Sequence, residues 1–430
     1  MLRPEDMVVR SLGTPSFPTP LQIPRFIDDG ARVVIDVEFD SLSAKFAGGE
    51  PVLTLENAGP RRQLFFNPAD TTAAIVTCGG LCPGLNNVIQ AIVKQLHFQY
   101  GIKRILGIPY GYEGLNPAKG HVIAPLTLER VRGIDRIGGT ILGSSRGNQD
   151  PVIMVDTLIS HGVNILFAVG GDGTLRGAKA IADEIEKRRL NIAVVGVPKT
   201  IDNDIQYIDR TFGFETAVAI ATEALHGAHA EATSAANGIG LVKLMGRDSG
   251  YIATFAGLAS NEANYVLVPE VKFTLRGEKG FLPHLKERLH RKKHALIVVA
   301  EGAGQELMPD TGERDASGNR KYGDVGLFLK KEIETYLKEE KVPFTLKYID
   351  PSYIIRSVPA SADDAVSCMM LAQNAVHGAM SGKTNFMIGK VNSYYVYVPI
   401  ELATASRKKI DPTGYLWSIV KEATGQPDFV

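Results

Sequence analysis

The chain has 430 residues, of which 44% are hydrophobic and 22% charged, which is typical of a soluble globular protein of two or three domains. Lysine plus arginine and aspartate plus glutamate both number 47, so the basic excess expected of a general nucleic-acid binder is absent. No apolar run reaches the roughly 20 residues that a membrane span needs. We therefore expect neither nucleic-acid nor membrane binding. The three cysteines are too few for a disulfide framework and are typical of a cytoplasmic protein.

Residues 1–70 differ from the rest of the chain. Residues 16–24 contain prolines that exclude a helix, and residues 33–37 form an apolar run that predicts a strand. We expect an N-terminal extension that packs on the main body or bridges from it.

From about residue 71, apolar runs alternate with helical patterns. The runs at 73–77, 165–169 and 192–197 are typical of strands buried on both faces, and glycines and a helical pattern follow the first two. Similar runs occur at 239–244, 265–268 and 295–299. The alternation predicts an α/β protein with two parallel sheets covered by helices. Residues 301–326 break the pattern and predict a long loop, either functional or a plain surface insertion.

The first glycine-rich segment spans residues 79–86, between a predicted strand and helix. Glycines such as Gly79 let the backbone approach a ligand, and a helix N-terminus attracts anions. Ligands of parallel sheets bind at the carboxyl ends of the strands. The segment therefore indicates a phosphate site, although glycine for turn shape alone explains it as well.

The second segment, residues 170–174, places Asp172 between Gly171 and Gly173. It is neither a Walker A loop nor a dinucleotide fingerprint. A carboxylate this close to a bound phosphate requires a cation between them, and Mg²⁺ prefers carboxylate and phosphate oxygens. The pattern favours a magnesium–nucleotide site; a turn aspartate that caps the next helix is the alternative.

The third segment, residues 198–204, combines Lys199, Thr200, Asp202 and Asp204 within seven positions. A kinase that acts on an alcohol needs a carboxylate to accept the hydroxyl proton. One aspartate could be that base and the other could assist the metal. A loop of capping residues remains the alternative.

Charged residues elsewhere could complete such a site. Arg146 follows an apolar run and could reach a phosphoryl group, and Glu301 ends a predicted strand where it could accept sugar hydroxyls. Arg247, Lys347 and Arg356 lie in the later half of the chain. Each could equally be a surface charge.

Together, these motifs resemble the 6-phosphofructokinase family over about residues 71–405. The family's segments occur in its order and spacing, at residues 79–86, 170–174, 200–204, 245–247 and 355–356. The extended N-terminus and residues 65–68 resemble the long plant and trypanosome branch. The resemblance implies a phosphofructokinase fold of two Rossmann-like parallel-sheet domains. We expect an N-terminal extension (1–70), a nucleotide-binding domain (71–213 with about 357–405) and a sugar-phosphate domain (214–356 with about 406–430).

The resemblance also implies an activity, phosphoryl transfer from ATP to the 1-hydroxyl of fructose 6-phosphate in glycolysis, with Mg²⁺ as cofactor. Asp202 would be the base, assisted by Asp204, Thr200 and Arg146. The nucleotide and its metal would be bound by residues of the first two segments and the Arg146 loop, with Asp172 as metal ligand: Gly79, Arg146, Gly147, Gly171, Asp172, Gly173 and Thr174. The sugar phosphate would be bound by Thr200, Ile201, Asp202, Met245, Gly246, Arg247, Glu301, Lys347, Tyr353 and Arg356.

Two residues bear on the phosphoryl donor. ATP-using members resemble this chain in carrying glycine at the position of Gly173, where pyrophosphate users carry a second aspartate. Lys199 occurs in pyrophosphate users and also in the long ATP-using branch. We therefore expect ATP. The alternatives are a diphosphate-dependent phosphofructokinase, a diacylglycerol or NAD kinase and a non-catalytic regulatory subunit.

The chain departs from the short bacterial pattern near Gly238, where an arginine is replaced, and at Tyr353, where a histidine is expected. Lys347 and Lys243 are candidates to complete the phosphate clamp. The family resemblance further implies a homodimer or homotetramer and an allosteric enzyme, while the bacterial effector site does not transfer.

Overall fold

The computed structural model describes residues 2–310, 312–314 and 321–430. In this part of the chain, no helix is long and apolar enough to cross a membrane. Two compact units are present. Unit 1 comprises Met1–Thr200, Ile205–Gly213 and Val358–Arg407, and unit 2 comprises Ile201–Asp204, Phe214–Ser357 and Lys408–Val430. The domain limits drawn from the sequence remain predictions.

The strands, in chain order, are β1 (Arg10–Ser11), β2 (Phe17–Pro18), β3 (Arg32–Val34), β4 (Thr54–Asn57), β5 (Gln63–Leu64), β6 (Thr72–Thr77), β7 (Arg104–Ile108), β8 (Ala124–Pro125), β9 (Ile165–Gly170), β10 (Ala193–Pro198), β11 (Gly238–Leu244), β12 (Tyr265–Leu267), β13 (His294–Ala300), β14 (Thr345–Ile349), β15 (Lys383–Thr384), β16 (Phe386–Val391) and β17 (Tyr394–Pro399). The six strands predicted after residue 71 are confirmed, each within one residue at either end.

The helices are α1 (Phe39–Gly48), α2 (Leu85–Lys94), α3 (Pro151–Ser160), α4 (Asp172–Lys187), α5 (Phe214–Thr233), α6 (Tyr251–Ser260), α7 (Phe281–Lys292), α8 (Val325–Glu339), α9 (Ile354–Ser357), α10 (Ala362–Met380), α11 (Ile400–Ala405) and α12 (Tyr415–Thr424). The apolar face predicted on α4, with Ala178, Ile181, Ala182 and Ile185, is buried as expected.

Unit 1 is built on a nine-stranded sheet in the order β3-β4-β17-β16-β10-β9-β6-β7-β8. The five strands from β16 to β7 are parallel, and the strands outside them pair antiparallel. Every residue of β6, β9 and β10 is buried. This explains their continuous apolar sequences, because α4 packs with α3 and α11 while α2 packs with α10, and these helices cover the central strands.

Unit 2 contains a four-stranded parallel sheet in the order β12-β13-β11-β14. Its core joins the sheet to α7 and α8 and includes Phe281, Leu285, Leu329 and Ile333, all buried. This sheet and the parallel centre of the unit 1 sheet agree with the predicted fold class. In unit 2, the carboxyl ends of β11 and β13 lie at the same edge, with Leu244 opposite Ala300.

The N-terminal extension contributes strands to unit 1. β1 pairs with β15, β2 pairs with β5, and β3 and β4 extend the large sheet beyond β17. Arg61 is buried and lies 3.1 Å from the Glu56 carboxylate on β4. The extension is therefore packed on the main body.

Two predicted elements differ from the structure. The strand predicted at 33–37 is β3, which ends at Val34, because Asp36 instead accepts hydrogen bonds from Ser41 and Lys45. The loop predicted at 301–326 ends earlier, since α8 begins at Val325 with Asp324 as its N-cap. Residues 311 and 315–320 of that predicted loop lie outside the described residues.

Candidate active site

The loop after β6 is held against the loop that carries Arg146. The Gly79 N–H donates to the Ser145 carbonyl at 3.1 Å, and the Ser144 hydroxyl donates to the Gly79 carbonyl at 2.5 Å. Gly79 has a φ of 85°, a conformation that favours glycine. The exposed residues Arg146 and Gly147 therefore lie beside Gly79.

The second loop joins β9 directly to α4. Gly171 is the N-cap of this helix and Asp172 is its first residue, so Asp172 does not cap the helix itself. A Cβ at Gly170 would lie 2.0 Å from the Thr174 hydroxyl oxygen, so glycine is required there. Thr174 is buried, and its carbonyl accepts a hydrogen bond from Tyr112 at 2.7 Å. The free N–H groups of the first turn leave this end of α4 suited to an anion.

Asp172 is paired with two arginines. Its Oδ2 lies 2.8 Å from Arg176 and 3.5 Å from Arg407, and 17% of the Asp172 side chain is exposed. Next to it, a Cβ at Gly173 would meet no atom within 4 Å. The carboxylate is thus accessible beside open space.

Lys199 connects the first two loops. It is buried, its Nζ donates to the Gly80 carbonyl at 2.6 Å, and its backbone N–H donates to the Gly170 carbonyl at 3.0 Å. A Cβ at Gly79 would lie 3.2 Å from the Lys199 Nζ. Unit 1 therefore gathers Gly79, the Arg146 loop, the start of α4 and Lys199 at the carboxyl ends of β6, β9 and β10.

The segment predicted to contain the base is anchored by its backbone. In unit 1, the Thr211 hydroxyl donates to the Thr200 carbonyl at 2.6 Å. In unit 2, the Asp202 carbonyl accepts from the Ser249 hydroxyl at 3.2 Å, and the Asp204 carbonyl accepts from the Lys408 N–H at 2.9 Å. Ile201 and Asp204 are buried, whereas Asp202 is partly exposed. Of the two residues, Asp202 is therefore the more exposed, although its Oδ1 is buried.

Unit 2 brings together the segments that follow β11 and β13. The Glu301 N–H donates to the Leu244 carbonyl at 2.9 Å, and the Gly302 N–H donates to the Gly246 carbonyl at 3.1 Å. Gly246 has a φ of 128°, and a Cβ there would lie 2.5 Å from the Ser249 carbonyl oxygen. The sequence-predicted residues Met245, Gly246, Arg247 and Glu301 therefore lie together at this edge of the sheet.

Glu301 lies among several charges. Burial raises its pKa above the ordinary value; Arg247, Lys243 and Arg356 lower it without offsetting the burial, and Asp350 raises it further. Arg247 also lies over the Tyr322 ring, 4.7 Å from its centroid, and the Tyr322 hydroxyl donates to Asp248 at 3.2 Å. The cluster combines one acceptor carboxylate with cations suited to a sugar phosphate.

The Lys243 ammonium forms ion pairs with two carboxylates. Its Nζ lies 2.7 Å from Asp350 and 3.0 Å from Asp324. Burial disfavours the Lys243 ammonium, but its hydrogen bonds to these two aspartates dominate, so the pKa of Lys243 is raised. The structure therefore does not support Lys243 as a phosphate ligand in this arrangement.

The remaining predicted sugar-site residues differ in position. Arg356, in α9, lies over the ring of the exposed Tyr353, 4.8 Å from its centroid, and is among the cations that act on Glu301. Lys347 is exposed in the middle of β14, opposite Gly240 on β11. Because Gly240 precedes the end of β11 by four residues, Lys347 is not brought to the carboxyl edge with the others.

Sequence reasoning missed Arg407 and Tyr322. Arg407 reaches Asp172 because α11, near the end of the Val358–Arg407 segment of unit 1, packs on α4, and no local pattern signals this contact. Tyr322 lies within the loop predicted at 301–326, where charges and glycines predominate and no pattern marks this aromatic residue as part of a site.

Comparison with known proteins identifies the family. A family model described as phosphofructokinase matches residues 72–379. The chain is similar to the ATP-dependent 6-phosphofructokinase of Borreliella burgdorferi, with 51% identity covering 87% of this chain and 85% of that protein. The ATP-dependent 6-phosphofructokinase of Trypanosoma cruzi is 49% identical, and the match covers 86% of this chain and 77% of that protein. ATP-dependent 6-phosphofructokinase 7 of Arabidopsis thaliana is 46% identical, and the match covers 97% of this chain and 86% of that protein.

Solved structures share the fold. A pyrophosphate-dependent phosphofructokinase from Marinobacter aquaeolei has a TM-score of 0.68 at 19% identity and covers 83% of this chain and 91% of its own. Phosphofructokinase from Saccharomyces cerevisiae has a TM-score of 0.62 at 23% identity, over 82% of this chain and 47% of its own. At these identities the structures support the fold, while the family model and the curated relatives carry the assignment: the chain belongs to the phosphofructokinase family, with relatives in plants and trypanosomes.

Proposed function

We propose that this protein is an ATP-dependent 6-phosphofructokinase that converts fructose 6-phosphate and ATP to fructose 1,6-bisphosphate and ADP in glycolysis. The observation that carries the proposal is the open space at Gly173 beside the Asp172 carboxylate, at the start of a helix between two glycine-rich loops. Curated relatives with 45–51% identity are named for the same ATP-dependent activity.

The donor side suits Mg²⁺ and nucleotide phosphates. Asp172 offers a partly exposed carboxylate, and among the described residues there is no group of three or more histidine, cysteine, aspartate or glutamate side chains that would hold a metal by itself. Mg²⁺ commonly binds one or two carboxylates, with phosphates and water supplying the other oxygens, so these residues fit the ion. Asp172 would hold the ion, which would supply positive charge that offsets the negative charge of the phosphates.

On the donor side, each predicted residue has a separate task. The N–H groups at the start of α4 and the glycine backbone at 79 and 171 would bind phosphate oxygens. Arg146, exposed beside Gly79, would stabilise charge on the transferred phosphoryl group; losing one such contact typically costs about 3 kcal/mol of barrier. Gly147 and Thr174 would shape the pocket around them.

On the acceptor side, Asp202 would accept the proton of the sugar 1-hydroxyl as the oxygen attacks the phosphorus of the terminal phosphate of ATP. Thr200 and Asp204 would hold this segment in place. Arg247 and Arg356 would bind the 6-phosphate, and Glu301 would accept sugar hydroxyls. Ile201, Met245, Gly246, Tyr353 and the more distant Lys347 complete the proposed sugar-binding set.

A diphosphate-dependent phosphofructokinase is the second candidate. Lys199 favours the diphosphate-dependent enzyme, because a lysine that connects the two proposed phosphate-binding loops suits a compact, highly charged donor. The absence of a side chain at 173 favours ATP, since an acid there would repel and obstruct the nucleotide phosphates. The acids Asp172 and Asp202 favour either enzyme over a non-catalytic regulatory subunit, which has no need of them.

The proposal extends to properties implied by the family resemblance. We infer a cytoplasmic enzyme that is a homodimer or homotetramer, is controlled allosterically and acts on small molecules without nucleic-acid or membrane partners. The three cysteines are buried and form no disulfide within the described residues, which suits a reducing compartment.

A product assay with one variant tests the proposal. Wild-type protein with Mg²⁺, ATP and fructose 6-phosphate should form fructose 1,6-bisphosphate and ADP in equal amounts. Asp202→Ser should lower kcat by roughly 10²–10⁴-fold with little change in sugar affinity, because only proton acceptance is lost. Wild-type protein that makes no bisphosphate would contradict the proposed activity, and an unchanged rate in the variant would remove Asp202 as the base.

A further inference from the structure

Arg407 has a side chain that reaches the predicted metal ligand from a distant part of the sequence. Its guanidinium lies 3.5 Å from the Asp172 Oδ2, and 27% of its side chain is exposed, compared with 62% for Arg176 on the same oxygen. The less exposed arginine is therefore the one that arrives from outside α4.

The backbone of Arg407 is held in place by several contacts within unit 1. Residue 407 forms an antiparallel bridge with Ile205, and its carbonyl accepts a hydrogen bond from the Gln206 side chain at 2.9 Å. Just before it, α11 packs on α4, where Glu401 pairs with Lys179 at 3.1 Å. These contacts fix the position from which the side chain extends.

The two ion pairs share one oxygen of the carboxylate. The contacts of 2.8 Å to Arg176 and 3.5 Å to Arg407 both meet Oδ2, so the two arginines draw on the same side of the carboxylate. Side chains that hold a ligating carboxylate in one orientation typically change metal affinity or activity by about 10–100-fold when removed.

We propose that Arg407 is a positioning residue for Asp172: it holds Oδ2 so that Oδ1 is presented to the cation of the magnesium–nucleotide. This inference rests on the proposed function, in which Asp172 is the metal ligand. Through its bridge to Ile205, Arg407 also joins the carboxylate to the residue that directly follows the Asp202–Asp204 segment. Arg176 is a weaker second support, because its long exposed side chain is free to leave.

Calorimetry with ADP as the probe tests this role without turnover. Arg407→Met should weaken ADP binding about tenfold in the presence of Mg²⁺ and by less than about twofold with EDTA, because the defect lies in the metal ligand. Arg176→Met should show a smaller loss, and Lys187→Met, at the exposed far end of α4, should match wild type. Arg407→Lys keeps the charge and should recover most of the loss.

Kinetics and folding controls separate positioning from general damage. In Arg407→Met, the KM for the magnesium–nucleotide should rise while the KM for fructose 6-phosphate stays within about twofold of wild type. If Arg407→Met does not fold, Arg407→Gln and Arg407→Lys provide the same comparison.

Three results would overturn the inference: unchanged ADP binding, an equal loss with and without Mg²⁺, or tighter binding with Mg²⁺. An equal loss with and without Mg²⁺ would indicate that Arg407 binds the nucleotide directly. Tighter binding with Mg²⁺ would indicate that Arg407 competes with the metal for Asp172. Failure of the proposed function is distinguished because it would appear as absence of bisphosphate from the wild-type protein, whatever the ADP titrations give.

Discussion

Residue 173 carries no side chain where one would fit. A Cβ there meets nothing within 4 Å, in contrast to Gly170, where it would collide with Thr174. Packing therefore explains the glycine at 170 but not the one at 173. We relate Gly173 to the ligand that the neighbouring space must admit.

Gly173→Asp should fold normally and lose ATP affinity. An acid in the first turn of a helix is favourable by about 0.3–1 kcal/mol, so the thermal midpoint should be unchanged or raised. The KM for ATP should rise at least tenfold through repulsion of the phosphates, as measured by steady-state kinetics. Gly173→Asn is the matched uncharged control and should show a smaller increase; equal increases would assign the effect to size, and no increase in either would remove Gly173 as a donor determinant.

Glu301 provides a prediction from its raised pKa. Burial outweighs the neighbouring cations, so the folded protein holds the Glu301 proton more tightly than the unfolded chain does. Glu301 therefore stabilises the folded protein at low pH. This stabilisation is lost as the pH rises from the ordinary glutamate pKa to the raised pKa of Glu301. Glu301→Gln should therefore be more stable than wild type at pH 7.5, and the difference should shrink toward pH 4.5.

Thermal unfolding of both proteins across this pH range, without ligand, checks the direction. The same variant should raise the KM for fructose 6-phosphate about tenfold, because an amide is a poorer acceptor than a carboxylate. A glutamine variant less stable than wild type at pH 7.5 would show that the cations outweigh burial, contrary to our interpretation.

Among the elements, β3 and β4 extend the large sheet and bring the N-terminal extension into unit 1. Arg61 lies behind them, 3% exposed, between Glu56 at 3.1 Å and Asp29 at 3.0 Å. Arg10 also ties the extension to unit 1, pairing with Glu186 and Glu401, but in solvent. The two arginines differ in burial, and they also differ in that Arg61 pairs within the extension whereas Arg10 pairs with residues outside it.

Arg61→Met should lower the free energy of unfolding by about 3 kcal/mol, since it removes one of the two cationic partners that the buried Glu56 has among the described residues and leaves Lys383. Arg10→Met is the exposed control and should cost less than about 1 kcal/mol. Urea denaturation measures both. Equal losses would contradict the view that the buried pair within the extension contributes more to stability than the exposed pairs of Arg10.

The sequence predicted elements better than it predicted their partners. Apolar runs located β6, β9 and β10 because both faces of these strands are buried, which leaves a continuous apolar signature. The antiparallel additions to the sheet had no such signal, since short strands such as β4 and β8 depend on the neighbours they pair with. The Arg407–Asp172 pair was unpredictable for the same reason: it depends on how α11 packs on α4.

For the whole molecule, the family assignment and the glycine-rich loops agree on phosphoryl transfer, and the donor is the central claim. The glycine loops were located from sequence because they directly follow the apolar runs of β6 and β9, although turn shape or helix capping would explain either loop taken alone. The roles of Lys347 and Lys243 remain predictions, and the sequence did not signal that Lys347 lies on the body of a strand or that Lys243 pairs with two aspartates.

The most direct test compares donors for the wild-type protein. Initial rates of fructose 1,6-bisphosphate formation are measured at saturating fructose 6-phosphate and Mg²⁺, with either ATP or pyrophosphate varied. We predict a kcat/KM for ATP at least 100-fold above that for pyrophosphate, because Gly173 leaves room for the nucleotide. A kcat/KM higher for pyrophosphate than for ATP would contradict the account and assign the determining role to Lys199.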